Sequence, residues 1–379
     1  MSKGHGGTVH IPMNGVNGYN DGVNYGGDQK DNWLALFKEF DTDNDGYIPM
    51  PELKTKVEVA GEAAGLSDSQ RRRLLQDADR NRDQMVDFGE FSLLMARAKE
   101  MRARSVMLRA AQVVVPKSNR EEKFSYIQQY SCCPPPLFMI LISACEIAVY
   151  VYYVMDMNAS ISVSGPVPTY SPLIYDPYRR HQAWRFVSYM LIHIGIYHVS
   201  FNVLTQLVLG IPLELVHSWR IGFVYLAGVI AGSLSVSVTD PTTYLAGASG
   251  GVYALIAAHV ANLVVNWDEM EYAIFRLVFL VILIGADIGV ALFNRYGNPV
   301  AAEGNQVSYV AHIGGFVAGL LMGIVVLRNF KKKSWERVVW WISLLGFIIL
   351  FVLCVLWNIF YTQQYFREQF DFMIKPNFT

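Results

Sequence analysis

The stretch at residues 247–265 reads GASGGVYALIAAHVANLVV and contains no Asp, Glu, Lys or Arg. A bilayer-spanning helix needs about 20 predominantly apolar residues, so this stretch is long enough to cross a membrane. Its small residues recur at every fourth position, at Gly250, Ala254 and Ala258, and such a stripe lets a neighbouring helix approach closely. The stretch therefore predicts a membrane helix that packs tightly on a partner and carries a serine in its first turn.

Other apolar stretches of similar length surround this one. The predicted spans are 136–156, 186–212, 221–240, 247–265, 271–293, 308–327 and 337–361. Hydrophobic residues make up 53% of the chain and charged residues only 17%, whereas soluble proteins carry roughly a quarter charged residues. We therefore expect an all-α, polytopic membrane helical bundle with a polar N-terminal part.

Charge balance and cysteine content exclude other classes of protein. The chain has 31 basic and 32 acidic residues, so it lacks the basic surface that nucleic-acid binding requires. Four cysteines among 379 residues exclude a disulfide scaffold. Residues 1–30 are rich in Gly and Asn and lack the apolar segment of a signal peptide, so we predict a disordered N-terminal tail.

One sharp motif lies in the polar part of the chain. Residues 41–52 read DTDNDGYIPMPE and match the calcium-loop pattern at every specified position. A hard cation prefers oxygen ligands, a backbone carbonyl at loop position 7 and a bidentate carboxylate at position 12, and Gly46 permits the sharp turn. The predicted Ca²⁺ ligands are Asp41, Asp43, Asp45, Tyr47 (through its carbonyl) and Glu52.

A second loop follows 38 residues after the first. Its ligand positions are held by Asp79, Asn81, Asp83, Met85 (through its carbonyl) and Glu90. Gln84 replaces the glycine of the sharp turn, and Arg80 and Arg82 add positive charge, so metal binding should be weaker. A structural partner loop that holds little metal stays open as the alternative. Val86 and Ile48 are expected to pair as a short strand between the loops.

The charges of the short loops predict the orientation in the membrane. The loop between the last two spans should face the cytosol because it carries Arg328, Lys331, Lys332, Lys333 and Arg337. Alternation then places the N-terminus in the cytosol and the C-terminus outside, where the glycosylation sequons at Asn158 and Asn377 also fall. Three arginines before span two oppose this orientation: Arg179, Arg180 and Arg185. We expect a multi-pass protein of the plasma membrane or secretory pathway.

Polar residues inside predicted spans are costly in lipid and indicate function by default. His198 and Asn202 stand four residues apart in span two and therefore project from one helical face. Ser249 opens span four and His312 lies near the start of span six, and both spans run from outside to inside. A serine and a histidine at similar depth are suited to act as nucleophile and general base. Without an obvious Asp or Glu at that depth, a dyad rather than a triad is expected.

Either residue alone is more often explained by packing or by a backbone hydrogen bond, but here the groups occur together and beside glycines. The set resembles the rhomboid family of intramembrane serine proteases over residues 136–362. The matching pieces are Trp184-Arg185, His198-xxx-Asn202, Gly247-Ala248-Ser249-Gly250 with Tyr253, and Ala311-His312-xx-Gly315-xxx-Gly319. The extra final span and the two loops, which resemble EF-hands, are similar to animal rhomboid-related, secretase-type proteins.

The resemblance implies a six-helix core with one extra C-terminal span and names a role for each matching residue. Ser249 would be the nucleophile and His312 the general base. His198, Asn202 and Gly247 would form the oxyanion site, and Tyr253 would pack beneath the histidine ring. The implied reaction is cleavage of single-span membrane proteins near the outer end of their helix to release ectodomains, with growth-factor precursors as one candidate class. We expect Ca²⁺ at the EF-hands to regulate this activity and no cofactor to take part in catalysis. A calcium-responsive but proteolytically silent chaperone, transporter or scaffold is the alternative.

The predicted domains follow from these motifs. They are a disordered tail (1–30), a cytosolic EF-hand pair (31–105), a juxtamembrane linker (106–135), a rhomboid-like seven-span protease domain (136–362) and a short C-terminal tail (363–379).

Overall fold

The computed structural model describes residues 27–63, 66, 68–115, 136–163, 165–292, 309–327 and 334–374. The chain divides into two compact units, Met1–Ala103 and Arg104–Thr379. Most of the predicted N-terminal tail, the lysine-rich loop at 328–333 and the sequon at Asn377 lie outside the described residues.

The first unit is a pair of helix–loop–helix elements. Its elements are α1 (Gly27–Phe40), β1 (Ile48–Pro49), α2 (Met50–Ala63), α3 (Asp68–Gln76), β2 (Met85–Val86) and α4 (Phe88–Gln112), the last of which continues into the second unit. β1 and β2 pair antiparallel with Ile48 opposite Val86, which confirms the predicted contact between the two loops. Phe37 and Phe91 pack edge to face at 5.4 Å between ring centroids in the buried core.

α4 is longer than the sequence predicts. It continues to Gln112, inside the segment 106–135 that was expected to be a linker. Ala111, Val114 and Val115 are buried in the core of the second unit, and Asn262 Nδ2 donates to the Val114 carbonyl at 2.9 Å. Burial of these apolar side chains stabilises the end of α4, because a helix gains most of its stability from packing. A solvated linker would lack this contribution.

The second unit is built almost entirely of helices. They are α5 (Leu137–Asp156), the short α6 (Arg185–Ser188), α7 (Ile196–His217), α8 (Arg220–Thr239), α9 (Ser249–Val265), α10 (Ala273–Leu292), α11 (Tyr309–Val326) and α12 (Glu336–Ile374). Among the described residues, five helices are long and apolar enough to cross a membrane: α5, α7, α8, α11 and the Glu336–Tyr361 part of α12. α9 is a shorter apolar helix of 17 residues. The predicted helical membrane bundle with an N-terminal EF-hand pair is confirmed.

Two predicted span boundaries differ from the structure. Span two was predicted to begin at 186, but α7 begins only at Ile196. Residues 185–191 form two short helical turns instead, and buried Arg185 at their start donates to the carbonyls of Ser171 and Ile174. Gly195, with a φ of +82°, separates these turns from α7. At the other end, α12 continues to Ile374 because residues 362–374 contain no Gly or Pro that would end a helix.

The extra helix, α12, is attached to the bundle through a polar contact. Asn358 Nδ2 donates to Ser237 Oγ at 2.7 Å, and its amide oxygen accepts from Arg180 at 3.2 Å. Most other described side chains of α12 are exposed on its apolar surface, as expected for a helix that faces lipid on most sides. Asn358 therefore anchors α12 to α8.

A ring of buried polar side chains joins α5, α7 and α8. Gln206 Nε2 lies 2.8 Å from Glu146 Oε2, Tyr225 OH lies 3.1 Å from Glu146 Oε1, and Tyr225 OH lies 3.1 Å from Gln206 Oε1. Tyr225 has one proton for two acceptor oxygens, so the ring closes only if the Glu146 carboxyl supplies a further proton. Turning the Gln206 amide over does not remove this requirement, because its oxygen would then face Glu146 Oε2. The ring therefore holds Glu146 as a neutral acid.

We predict that Glu146→Gln keeps the thermal stability of the wild type in detergent. The amide NH₂ of the variant replaces the acid proton as donor to Tyr225, and its oxygen still accepts from Gln206. Glu146→Ala should lower the free energy of unfolding by about 1–3 kcal/mol because buried donors lose their acceptors. Differential scanning fluorimetry compares the three proteins, and equal destabilisation by both substitutions would contradict the neutral ring.

Candidate active site and calcium loops

The candidate nucleophile lies at the start of a buried helix. α9 begins at Ser249, which is half-buried. Gly247 has a φ of +115°, a left-handed backbone conformation that favours glycine. A Cβ on Gly247 would also overlap the ring of His198, so the absence of a side chain lets the loop lie against that imidazole. The local sequence therefore turns the chain sharply and places Ser249 at a helix N-terminus.

A second histidine holds the backbone just before Ser249. The Ala248 N–H donates to Nε2 of His193 at 3.3 Å. Because Nε2 accepts this hydrogen bond, it carries a lone pair rather than a proton. His193 thus fixes the turn that leads into α9.

The candidate base packs on the helix of the candidate nucleophile. His312 lies in the first turn of α11 and is 5% exposed. Its ring stacks on the ring of Tyr253 in α9, with 4.4 Å between centroids and 14° between planes. Tyr253 stands one turn after Ser249 on the same side of α9, so the stack holds the imidazole beside the nucleophile's helix.

Glycines bring α9 and α11 into backbone contact. A Cβ on Gly315 would overlap the carbonyl group of Gly250, the residue after Ser249. One turn later, a Cβ on Gly319 would overlap the backbone of Ala254. The two glycine–backbone contacts explain how two helices can approach closely enough for side chains at their first turns to meet.

Two of the three residues expected at the oxyanion site, His198 and Asn202, lie on α7. Asn202 is 2% exposed, and its Nδ2 is buried without a hydrogen-bond partner among the described residues. A buried amide donor without an acceptor is costly, which indicates that a further acceptor belongs at this place. His198 lies against Gly247, so α7 presents both residues toward the start of α9.

Asp287 was missed by the sequence reasoning. It lies on α10, and its Oδ2 is 3.3 Å from His312 Nδ1 and accepts a hydrogen bond from Tyr253 OH at 2.7 Å. The expectation that no acidic residue reaches the depth of the serine and histidine is therefore wrong. A carboxylate deep inside a mostly apolar predicted span was the available signal, but the spacing along α10 does not by itself tell which helix it faces.

The first calcium loop has the geometry that its sequence predicts. The ligand atoms of Asp41, Asp43 and Asp45 lie within 4.8 Å of one another. Asp41 accepts from the N–H groups of Asp45 and Gly46, and Gly46 has a φ of +89° at the sharp turn. Glu52 lies outside this cluster and pairs with Lys56 at 3.1 Å. Three converging carboxylates and the glycine turn fit a Ca²⁺ ion.

The second loop folds similarly, and its first carboxylate accepts the same backbone hydrogen bonds as Asp41 in the first loop. Asp79 accepts from the N–H groups of Asp83 and Gln84, and Gln84 has a φ of +63°, a strained conformation for a residue with a side chain. Glu90 accepts from the Arg80 N–H at 2.9 Å. Among the described residues, no three His, Cys, Asp or Glu side chains converge in this loop, where Asn81 holds one of the ligand positions. The fit to Ca²⁺ is therefore poorer than in the first loop.

Comparisons with known proteins agree with this arrangement. Residues 180–329 match the Rhomboid domain, and residues 30–96 match the EF-hand domain pair. Rhomboid-related protein 3 of Homo sapiens is 34% identical over 358 residues, which cover 87% of this chain and 88% of that protein. The chain belongs to the rhomboid family. Rhomboid-related protein 2 of Mus musculus is 44% identical over 241 residues, 62% of this chain and 79% of that protein.

The name of a further relative describes that protein as inactive. The protein named inactive rhomboid-related protein 2, from Caenorhabditis elegans, is 38% identical over 319 residues, which cover 84% of this chain and 91% of that protein. Membership of the rhomboid family therefore does not by itself make this rhomboid a protease. The chemical roles of its site residues stay predictions, and their geometry carries the proposal that follows.

Proposed function

We propose that this rhomboid is an intramembrane serine endopeptidase. Ser249 acts as nucleophile and His312 as general base, and the substrates are single-span membrane proteins cleaved near the outer end of their transmembrane helix. The observation that carries the proposal is the backbone contact between α9 and α11, which places a half-buried serine and a buried histidine on the first turns of two touching helices.

Each side chain of the proposed active site has a separate chemical role. Ser249 attacks the scissile carbonyl, and His312 takes the serine proton and later returns it to the leaving amine. Asn202 offers the developing oxyanion a buried amide donor that has no other acceptor among the described residues. One such donor is worth about 10²–10³ in rate. His198 faces the same turn through Gly247.

The substrate class follows from the helical state of membrane segments. A transmembrane helix satisfies its own backbone groups, so its peptide bonds must unwind before a serine can attack them. Segments with Gly or other helix-weakening residues near the outer end are therefore favoured. Release of the ectodomain is the expected outcome, and growth-factor precursors are one class of single-span protein that fits.

The rival function is a proteolytically silent membrane chaperone, transporter or scaffold on the same fold. The name of the nematode relative favours this alternative, because it describes a rhomboid-related protein as inactive. Labelling of the purified full chain by a fluorophosphonate probe separates the two functions. The protease should be labelled and Ser249→Ala should not, while Ser200→Ala, which removes an exposed hydroxyl from α7, serves as the control. Absence of labelling in the wild type would favour the silent alternative.

We further propose that the N-terminus is cytosolic and the C-terminus extracellular or luminal, in the plasma membrane or secretory pathway. Asn158 is exposed directly after α5, where a glycan could be attached on the outer side. The wild type should carry glycosidase-sensitive mass that Asn158→Gln reduces, and an N-terminal tag should become reachable to antibody only after permeabilisation. A tag exposed on intact cells would invert the topology.

Calcium is the proposed regulator of this protease. In the first loop the three clustered carboxylates, together with Glu52, give a ligand set that is typical of sensor affinities of about 10⁻⁷–10⁻⁵ M. α4 carries Glu90 of the second loop in its first turn. Its last residue, Gln112, accepts a hydrogen bond from Arg276 of α10, and Val114, just after the helix, accepts one from Asn262 of α9. Because α9 begins at Ser249, a movement of α4 can reach the nucleophile's helix. We infer that calcium raises activity by this route.

We predict that Glu52→Gln removes the calcium response of substrate cleavage. The substitution takes one charge and one bidentate ligand from the first loop, so the ion should bind much more weakly. Glu58→Gln makes the same chemical change at an exposed position of α2 and is the matched control. Cleavage of a tagged single-span protein is measured with and without a calcium ionophore. If neither wild type nor Glu52→Gln responds, the EF-hand pair is a constitutive folding module.

A further inference from the structure

Asp287 of α10 lies against the ring of the candidate base, His312. Its Oδ2 lies 3.3 Å from Nδ1 of His312 and accepts the hydroxyl hydrogen of Tyr253 at 2.7 Å. Tyr253 also stacks on the imidazole. The three side chains come from α10, α9 and α11, so one carboxylate oxygen joins three helices around the histidine.

The chemistry of a general base explains why this contact matters. A neutral imidazole carries its proton on one nitrogen, and only the other nitrogen can accept the serine proton. A carboxylate at Nδ1 favours the tautomer with the proton there, which leaves the lone pair of Nε2 for the nucleophile. It also stabilises the imidazolium that forms when the serine proton arrives.

The contact is within ion-pair distance but is not aligned as a hydrogen bond, since Nδ1 is buried without a hydrogen-bond partner among the described residues. Catalytic hydrogen bonds are often long or misaligned before substrate binds and tighten in the reacting complex. We expect the Asp287 carboxylate to rotate and complete the bond when substrate binds. The side chain is 26% exposed, which leaves room for such a rotation.

We propose that Asp287 is a positioning residue of the active site, so that the dyad works as a triad with Tyr253 holding the acid in place. The proposal rests on the protease function. In acylation the Ser249 proton passes to His312 Nε2, the new imidazolium faces Asp287 through Nδ1–H, and the proton then leaves with the amine. Asp287 keeps its charge throughout.

A purely structural role makes a different prediction. If Asp287 served only to tie α10 to α9, the important bond would be the one from Tyr253. Tyr253→Phe and Asp287→Asn would then be similarly damaging, because each weakens that bond. If Asp287 positions His312, the asparagine variant is far worse. Its Nδ2–H₂ can donate to Nδ1, which drives the imidazole proton to Nε2 and blocks proton transfer from the serine.

The probe is a fluorophosphonate, and the full chain is used in detergent. Ser249 Oγ bonds to phosphorus, fluoride leaves, and the serine proton passes to His312, so the labelling rate reports on the base. We expect Asp287→Asn to lower the rate by about 10²–10⁴-fold. Tyr253→Phe keeps the stacked ring and leaves the Asp287 carboxylate unchanged. Its labelling rate should stay within about tenfold of the wild-type rate, because only one hydrogen bond is lost.

A pH profile supplies a readout that a structural role would not move. Among the described residues, the titratable groups that face His312 are Asp287 from α10, Tyr253 from α9 and His198 from α7. The Asp287→Ala substitution removes a negative charge beside the imidazole. In a plot of labelling rate against pH between about pH 5 and 9, the rising limb should therefore move to lower pH. Tyr253→Phe should leave that limb in place.

The outcomes separate this proposal from the function on which it rests. A wild type that is not labelled at Ser249 overturns both. A labelled wild type with Asp287→Asn no worse than Tyr253→Phe, or with an unmoved limb in Asp287→Ala, overturns the positioning role and leaves the protease intact. A large loss in Asp287→Asn together with a shifted limb in Asp287→Ala supports it.

Discussion

Cleavage of a co-expressed single-span substrate is expected to fall by about 10⁴–10⁶-fold in Ser249→Ala and in His312→Ala, with expression unchanged. Each substitution removes one member of a nucleophile–base unit, and neither inserts atoms into the packed contact between α9 and α11. The double variant should be no slower than either single variant, because the two groups act on the same proton.

The measurement is release of the tagged ectodomain into the medium, normalised to the amount of enzyme in the membrane. Ser200→Ala is the matched control, since the same atom is removed from an exposed position of α7. Asn202→Ala should be milder, at about 10²–10³-fold, because it removes one oxyanion donor. Full activity in Ser249→Ala or His312→Ala would disprove the assignment of the pair.

Gly315→Ala is expected to lower cleavage by about 10²-fold, although Gly315 has no functional group. A single methyl group at this position overlaps the backbone carbonyl of Gly250, which cannot move aside as a side chain can. α11 must therefore shift away from α9, and His312 moves with it. A displacement of about 1 Å at a reacting group is enough for a loss of this size.

Gly346→Ala is the control for this substitution. Gly346 lies on α12, and a Cβ there meets only the side chain of Leu321, at an ordinary contact distance of 3.9 Å. Alanine also has the higher helix propensity, so this variant should keep its activity and stability. Loss of activity in both variants would point to a general effect of glycine replacement, and full activity in Gly315→Ala would show that the spacing of the two helices is not critical.

Features that depend on local spacing could be predicted from the sequence. Apolar runs of about 20 residues mark the spans because a bilayer accepts little else. The first calcium loop could be predicted because all its ligands lie within twelve consecutive residues. The pairing of Ile48 with Val86 could be predicted because the two residues hold equivalent positions in the two loops. Ser249 and His312 could be paired as candidates because both open spans that run in the same direction.

Features that depend on contacts between distant helices were decided by the tertiary structure. The sequence placed no acid beside the histidine, whereas the fold brings Asp287 of α10 to within 3.3 Å of it. Arg185, in the short turns that precede α7, binds carbonyls of a loop more than ten residues earlier, a contact that apolar spacing does not predict. The reason is physical: in a bundle of apolar helices, many rotations bury a similar area, and close glycine contacts and buried polar pairs choose among them. The length of the apolar runs along the chain determined where the membrane helices lie. Packing between those helices decided which polar residues meet.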